Sequence, residues 1–183
     1  MTLLARARTT DDSTPVQAPV LQTARLLLRA PRRSDAKPYA MLAGDRRIAT
    51  NVAHIPSPCG VEVARQWIAT EVLRRPVFVI TAGDELIGAC SLDGRDGVPD
   101  LWYWIGVPFW GYGYATEAVR GVVGYAFGDL GHTVLSASSR VTNPLSRRVL
   151  DKCGFRWTGV GLCRIRALGT SVPVDRFVRE AAA

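Results

Sequence analysis

The hydrophobic period of the chain changes once between residues 101 and 130, and the change falls on two glycines. Leu101-Trp102-Tyr103-Trp104-Ile105-Gly106-Val107 is apolar on both alternating faces, the pattern of a central strand covered on both sides. Beyond Gly111 and Gly113, apolar residues recur at Ala115, Ala118, Val119, Val122, Val123, Ala126, Phe127 and Leu130, the spacing of a strongly amphipathic helix.

The same reading applied outward predicts the rest. Residues 25–29 form a first strand, Ser34-Asp35 caps a helix to about Leu42, and Pro56, Pro58 and Gly60 mark a loop. Residues 61–74 predict a second helix with Val61, Ala64, Trp67, Ile68 and Val72 on its buried side, ended by Arg75-Pro76. Residues 77–81 and 86–92 pair around Gly83-Asp84, and a turn over 93–100 leads into the apolar strand, giving a three-strand antiparallel meander. Residues 134–141 read as a strand. Asn143-Pro144 starts a short helix, with a cap followed by proline at the first helical position, and Gly154 closes it. Residues 156–179 alternate as two strands broken at Gly169-Thr170-Ser171, whereas residues 1–20 show no period and read as a mobile tail ahead of one domain over 21–180.

Composition narrows the function classes. The chain has 183 residues, 48% of them hydrophobic, which suits one globular domain with its own core. No apolar run approaches the ~20 residues that span a bilayer. The net charge of +7 comes from 23 basic residues, only two of them lysines, Lys37 and Lys152. The pairs Arg32-Arg33, Arg46-Arg47, Arg74-Arg75 and Arg147-Arg148 are dispersed, so they read as solvated surface and not as a nucleic-acid tract. Cys59, Cys90, Cys153 and Cys163 lack C-x-x-C spacing, which argues against a metal site and for reduced thiols in a cytoplasmic protein. Arg6 and Arg8 hint at a transit peptide, but Asp11, Asp12 and the short apolar stretches argue for a cytosolic extension.

The glycine segment is where chemistry concentrates. Gly111 and Gly113 admit positive φ, so successive N–H groups can turn toward an anion, and the following helix adds unpaired donors and the positive end of its dipole. No Lys-Ser or Lys-Thr follows, as a Walker A loop requires, and no third glycine or downstream acid completes a dinucleotide fingerprint.

The element order, with Trp110-Gly111-Tyr112-Gly113-Tyr114-Ala115-Thr116-Glu117-Ala118 and, downstream, Asn143-Pro144-Leu145-Ser146-Arg147-Arg148-Val149-Leu150-Asp151-Lys152-Cys153-Gly154-Phe155, resembles the GCN5-related N-acetyltransferases, closest to their RimJ/RimL-like branch. The resemblance implies a mixed α/β single domain: a mostly antiparallel twisted sheet of about seven strands with splayed central strands, flanked by about four helices. It implies acetyl-CoA as co-substrate, with the diphosphate on Trp110, Gly111, Tyr112, Gly113, Tyr114, Ala115 and Thr116. The pantetheine arm would add along the strand at Ile105 and Val107 and face Asn143 and Ser146. Two positions depart from the wider superfamily: Pro108 stands where glutamine or arginine is common, and Leu150 where a tyrosine is thought to protonate the leaving thiolate.

The reaction implied is direct attack of an amine on the thioester, which first requires the amine to lose a proton. Asp100, on the face of Trp102 and Trp104, is the carboxylate best placed as base, and Ser146 or a water replaces the missing tyrosine as acid. Glu117 reads as a first-turn dipole partner, and His54 and His132 as loop residues. Trp67, Trp102, Trp104 and Trp157 serve the core or wall an acceptor cleft. The acceptor is a protein N-terminal α-amine or a small amine, the oligomer a monomer or homodimer, and neither nucleic acid nor membrane is a partner. A non-catalytic acyl-CoA-binding module is the competing reading.

Overall fold

The computed structural model describes residues 18–71, 75–95 and 97–182. Among them, eight strands form one sheet in the order β1-β2-β3-β4-β5-β6-β8-β7. The strands are β1 (Leu21–Gln22), β2 (Leu27–Arg29), β3 (Val77–Ala82), β4 (Glu85–Arg95), β5 (Val98–Ile105), β6 (Val134–Arg140), β7 (Arg156–Ile165) and β8 (Thr170–Glu180). Five helices accompany them: α1 (Ala36–Ala43), α2 (Arg46–Ala49), α3 (Val61–Glu71), α4 (Tyr114–Gly128) and α5 (Pro144–Lys152).

Strand alternation divides the core between the two faces of the sheet. Leu101 and Ile105 of β5, with Leu135 and Ala137 of β6, meet Val119, Val122 and Ala126 of α4 and Leu150 of α5. Trp104 faces the other way, against Tyr39, Ala43, Ile48 and Ile68 of α1, α2 and α3. β5 is therefore apolar at nearly every position because both its faces are covered.

The sheet is antiparallel except at its centre. β5 and β6 run parallel and pair only at Asp100↔Ser136 and Leu101↔Ala137. Each follows a different partner beyond that point: β5 stays paired with β4 as far as Gly88↔Ile105, and β6 with β8 as far as Arg140↔Val174. The two halves of the sheet thus diverge, leaving the facing edges of β5 and β6 without a strand between them.

Several expected elements change. The first strand is shorter than 25–29 and is preceded by β1, too brief to show a period, which pairs Leu21 with Leu28. The turn over 93–100 does not exist as drawn, because β4 runs to Arg95 and β5 starts at Val98, with Asp93 opposite Asp100. The polar and glycine residues of this stretch suggested a loop, yet ladder pairing carries Asp93, Gly94, Arg95 and Asp100. The strand through Val107 stops at Ile105, and Val107–Phe109 is a 3-10 turn that Pro108 fits. α2 was missed; Asp45 caps it by accepting from the Arg47 N–H at 2.8 Å, but one turn is too short for periodicity. Val72 and the end of the helix expected over 61–74 lie outside the described residues, as do residues 1–17.

Asp35 does not cap α1 with its side chain. Its carboxylate accepts from Arg29 Nη1 at 2.8 Å and Nη2 at 2.9 Å, and from the Arg32 N–H at 2.6 Å. Burial alone would raise its pKa, but these bonds and the charges of Arg29 and Arg32 outweigh it and hold Asp35 below the usual carboxylate range. The pair pins β2 to the start of α1. Because the folded pKa is depressed, its stabilisation is complete above the unfolded value of ~3.9 and disappears as pH falls through the folded value. Asp35→Asn is expected to cost about 1.5–3 kcal/mol at neutral pH and to flatten the acid limb of stability, measured by urea unfolding across pH.

Candidate active site

The glycine turn takes the conformation its sequence requires. Gly111 and Gly113 have φ of 86° and 81°, and nothing crowds the missing side chain of Gly111, so conformation and not space demands glycine. Gly113 is the N-cap of α4 and no side chain caps the helix. The N–H groups of Tyr114, Ala115 and Thr116 have no carbonyl within the helix to donate to, and the positive dipole end lies with them.

Glu117 stands in that first turn but does not fill it. Its carboxylate accepts from Thr23 Oγ1 at 2.6 Å, from the Arg25 N–H at 2.8 Å and from Arg25 Nε at 2.7 Å. Burial pushes its pKa up, and these bonds with the Arg25 charge bring the net shift below the ordinary value. Arg25 also donates to the Tyr112 carbonyl at 3.0 Å, bracing the turn. A smaller cavity beside it is bounded by Arg25, Arg120 and Lys152, so the anion site has cations at its outer rim.

From this turn a cleft of about 1070 Å³ runs through the gap between β5 and β6 to the segment joining α2 and α3. Ile105, Trp110, Gly111, Gly113, Tyr114, Ala115, Thr116, Asn143, Ser146 and Asp100 all line it. Val107 and Tyr112 are not among its lining: Val107 packs toward the α1–α3 core, and Tyr112 is exposed and stacks on Tyr114. The Ile105 carbonyl accepts the Trp110 indole N–H at 2.6 Å, which folds the 3-10 turn back onto the end of β5.

Asn143 caps α5 through its side chain, with Oδ1 accepting the Ser146 N–H at 3.2 Å. That places Ser146 at the open end of the gap, where its Oγ lies 2.9 Å from the Tyr103 hydroxyl; the same hydroxyl donates to the Ser146 carbonyl at 3.1 Å. Tyr103 was not among the expected site residues. Alternation of β5 was the available signal, since Tyr103 must face opposite Trp102 and Trp104 and hence toward α5. Burial drives its pKa well above the ordinary phenol value, so it stays protonated and able to donate. Leu150 is fully buried in the α4–α5 core, so no polar group stands there.

On the opposite face, Asp100 Oδ1 accepts from Ser136 Oγ at 2.8 Å. Its pKa is raised, first by burial and then by Asp93, against the opposing effects of Ser136 and Arg176. His54 lines the same part of the cleft, its ring centroid 4.2 Å from that of Trp102. Burial, with the charges of Arg75 and Arg166, lowers its pKa to about 3, so the imidazole is neutral and a poor base. His132 lies outside the cleft lining, as do Trp67, which stacks on Tyr39, and Trp157, whose indole N–H donates to Asp175 at 2.9 Å. All four cysteines are free thiols, and among the described residues no three His, Cys, Asp or Glu side chains cluster as metal ligands.

An uncapped helix start, two positive-φ glycines and an unpaired strand edge leading away from them suit a long ligand with an anionic head and an amide-bearing arm. Comparison with known proteins gives such a ligand a precedent. The sequence matches the family described as "Acetyltransferase (GNAT) domain" over residues 25–156. It is 27% identical over 167 residues to the uncharacterized N-acetyltransferase p20 of Bacillus licheniformis, covering 86% of this chain and 93% of that protein. Similar solved structures include the microcin C7 self-immunity acetyltransferase MccE in complex with acetyl-CoA and AMP. Its TM-score is 0.75 at 18% identity, covering 87% of this chain and 94% of that one. Another is RimL, a ribosomal L7/L12 α-N-protein acetyltransferase in complex with coenzyme A, at TM-score 0.77 and 16% identity, covering 88% and 98%.

Gly113→Ala forces a side chain into positive φ at the helix start, a strain of about 1–3 kcal/mol. It is expected to weaken coenzyme A binding about tenfold by calorimetry. Gly124→Ala, in open space within α4, leaves binding unchanged.

Proposed function

The chain belongs to the GNAT acetyltransferase family, and on that premise we propose how its own residues move an acetyl group from acetyl-CoA to a primary amine. Acetyl-CoA supplies an activated thioester when bound. The N–H groups from Gly111 to Thr116 fit its diphosphate, and the free edge of β5 near Ile105, facing Asn143 and Ser146, fits its amide-bearing arm. The observation that carries this reading is the continuity of one cleft, from the glycine turn through the β5–β6 gap to Asp100.

Asp100 takes the proton from the incoming ammonium, directly or through one water. Its raised pKa brings the carboxylate closer to the amine's and makes it a stronger base than an exposed aspartate. With the Tyr103 hydroxyl turned to donate to its Oγ, Ser146, oriented by Asn143, donates its own proton in a hydrogen bond to the departing sulfur. Tyr103 supplies the phenol that Leu150 does not, from the neighbouring strand and not from α5. The leucine at 150 favours the competing reading of a non-catalytic module, and the Tyr103–Ser146 pair supports turnover instead.

The acceptor is an amine of a protein N-terminus or of a small molecule, and we place the protein in the cytoplasm as a monomer or homodimer acting apart from nucleic acid and membranes. The likeness to ribosomal-protein acetyltransferases supports the first acceptor class, and the likeness to the self-immunity enzyme the second. No helix among the described residues is long and apolar enough to cross a membrane. We read residues 1–20 as a tail outside the catalytic domain over 21–180.

Thiol release from acetyl-CoA with a panel of amines and peptides tests the activity; coenzyme A binding without release for any acceptor overturns it. Asp100→Asn is expected to lower kcat about 100-fold or more and to abolish the acid limb of the rate profile, which reflects loss of the carboxylate as pH falls through its raised pKa. Tyr103→Phe, which removes the hydroxyl that meets Ser146, is expected to lower kcat about 2- to 10-fold with acetyl-CoA KM unchanged.

A further inference from the structure

Side chains of β6 alternate between the two faces of the sheet. Leu135 and Ala137 enter the core beneath α4, so Ser136, Ser138 and Arg140 project to the face of Asp100, as the Ser136–Asp100 hydrogen bond shows. Arg140 therefore stands in the acceptor half of the cleft. Its Nη1 donates to the Thr50 carbonyl at 2.9 Å, while its Nε is buried with no partner among the described residues. Arg164 and Arg166 line the same region from β7 and the turn after it. Among the described residues none of these three arginines has a carboxylate within 4 Å. The Arg166 backbone N–H donates to the Ala53 carbonyl at 2.9 Å, so the Arg140 side chain and the Arg166 main chain both hold the segment after α2.

Further polar groups along the cleft lack partners. Trp102 Nε1 and His54 Nε2 are buried without a hydrogen bond among the described residues, with their rings in contact. A buried group left so costs about 1–3 kcal/mol, which a bound ligand would recover. His54 is held neutral first by burial and then by the charges of Arg75 and Arg166, so Arg166's charge reaches this space. Asp93 is tied to Arg75, so among the described residues lining the cleft Asp100 is the carboxylate left for an ammonium. These arginines are also remote from the anionic head of the donor, whose cavity rim has its own cations, Arg25, Arg120 and Lys152.

We propose that the amine acceptor carries an anionic group, a carboxylate or a phosphate-type oxyanion, held by Arg140 and Arg166 while its ammonium faces Asp100. The inference rests on the acetyl-transfer reading above and deepens it from "an amine" to an amine with a nearby negative charge. Arg140 supplies the free Nε donor, Arg166 a second cation lining the same cleft, and Trp102 Nε1 a neutral donor from β5.

The test uses acceptors matched in shape and different in charge: alanine against alaninamide, and β-alanine against β-alaninamide. 2-Aminoethylphosphonate distinguishes a phosphorus oxyanion from a carboxylate, and the peptide amides Ala-Asp-NH2 and Ala-Asn-NH2 distinguish a peptide side chain from a small molecule. Thiol release gives kcat/KM for each. The anionic member of at least one pair is expected to exceed its neutral partner about tenfold or more. Arg140→Gln and Arg166→Gln should each bring that ratio toward one, with Arg140→Lys retaining part of it. A purely structural role would lower both members together and leave the ratio intact, which overturns the proposal, as does a ratio near one for every pair in the unmodified protein. Calorimetry of alanine and alaninamide with the coenzyme A-loaded protein separates the two levels. If no acceptor releases thiol, the acetyl-transfer reading fails, while selective binding of alanine lost in Arg140→Gln still supports an anion subsite and equal or absent binding of both rejects it.

Discussion

Everything at the centre of this protein depends on two parallel strands that stop pairing after two positions. β5 and β6 are held together at Asp100–Ser136 and Leu101–Ala137 and then led apart by β4 and β8, which pair with them along their outer edges. An unpaired strand edge inside a sheet is costly unless something satisfies its N–H and C=O groups. The gap is thus a demand for a ligand with peptide-like hydrogen bonding, built into the topology. The glycine turn lies at its open end, and Asp100 where the strands still touch.

The sheet's two faces then separate the chemistry. β5 presents Asp100, Trp102 and Trp104 to one side and Leu101, Tyr103 and Ile105 to the other. The proposed base, Asp100, lies on the first face with the aromatic wall. The pair proposed to face the departing sulfur lies on the second, where Tyr103 reaches Ser146 on α5. One strand supplies both because its side chains alternate and both its faces are buried.

Much of the donor side was legible because it is local. Gly111, Gly113 and the amphipathic run from Ala115 specify a turn, a helix start and its dipole within a dozen residues, and Asn143-Pro144 specifies the cap that aims Ser146. The acceptor side was less legible. Arg140 and Arg166 are two arginines among many, and only the hydrogen bonds to Thr50 and Ala53 bring them to one loop. Tyr103 passed as one more apolar-strand residue until α5 was seen opposite it. The turn expected over 93–100 shrank to the residues between Arg95 and Val98, because the local hairpin ladder extends through Gly94 and Pro99 and leaves Gly97, at φ 82°, in the turn.

By itself the sequence determined the elements whose signals lie within a few residues: the doubly covered strand, the glycine turn, the long helix, the capped short helix and the order that marks the family. Tertiary structure alone decided where β5 and β6 part, which hydroxyl lies against Ser146, and which arginines share a cleft. The physical reason is range: capping, φ preference and hydrophobic period act over one or two turns of chain. The splay, the Tyr103–Ser146 bond and the Arg140–Thr50 bond instead join residues separated by tens of positions, and only packing sets their distances.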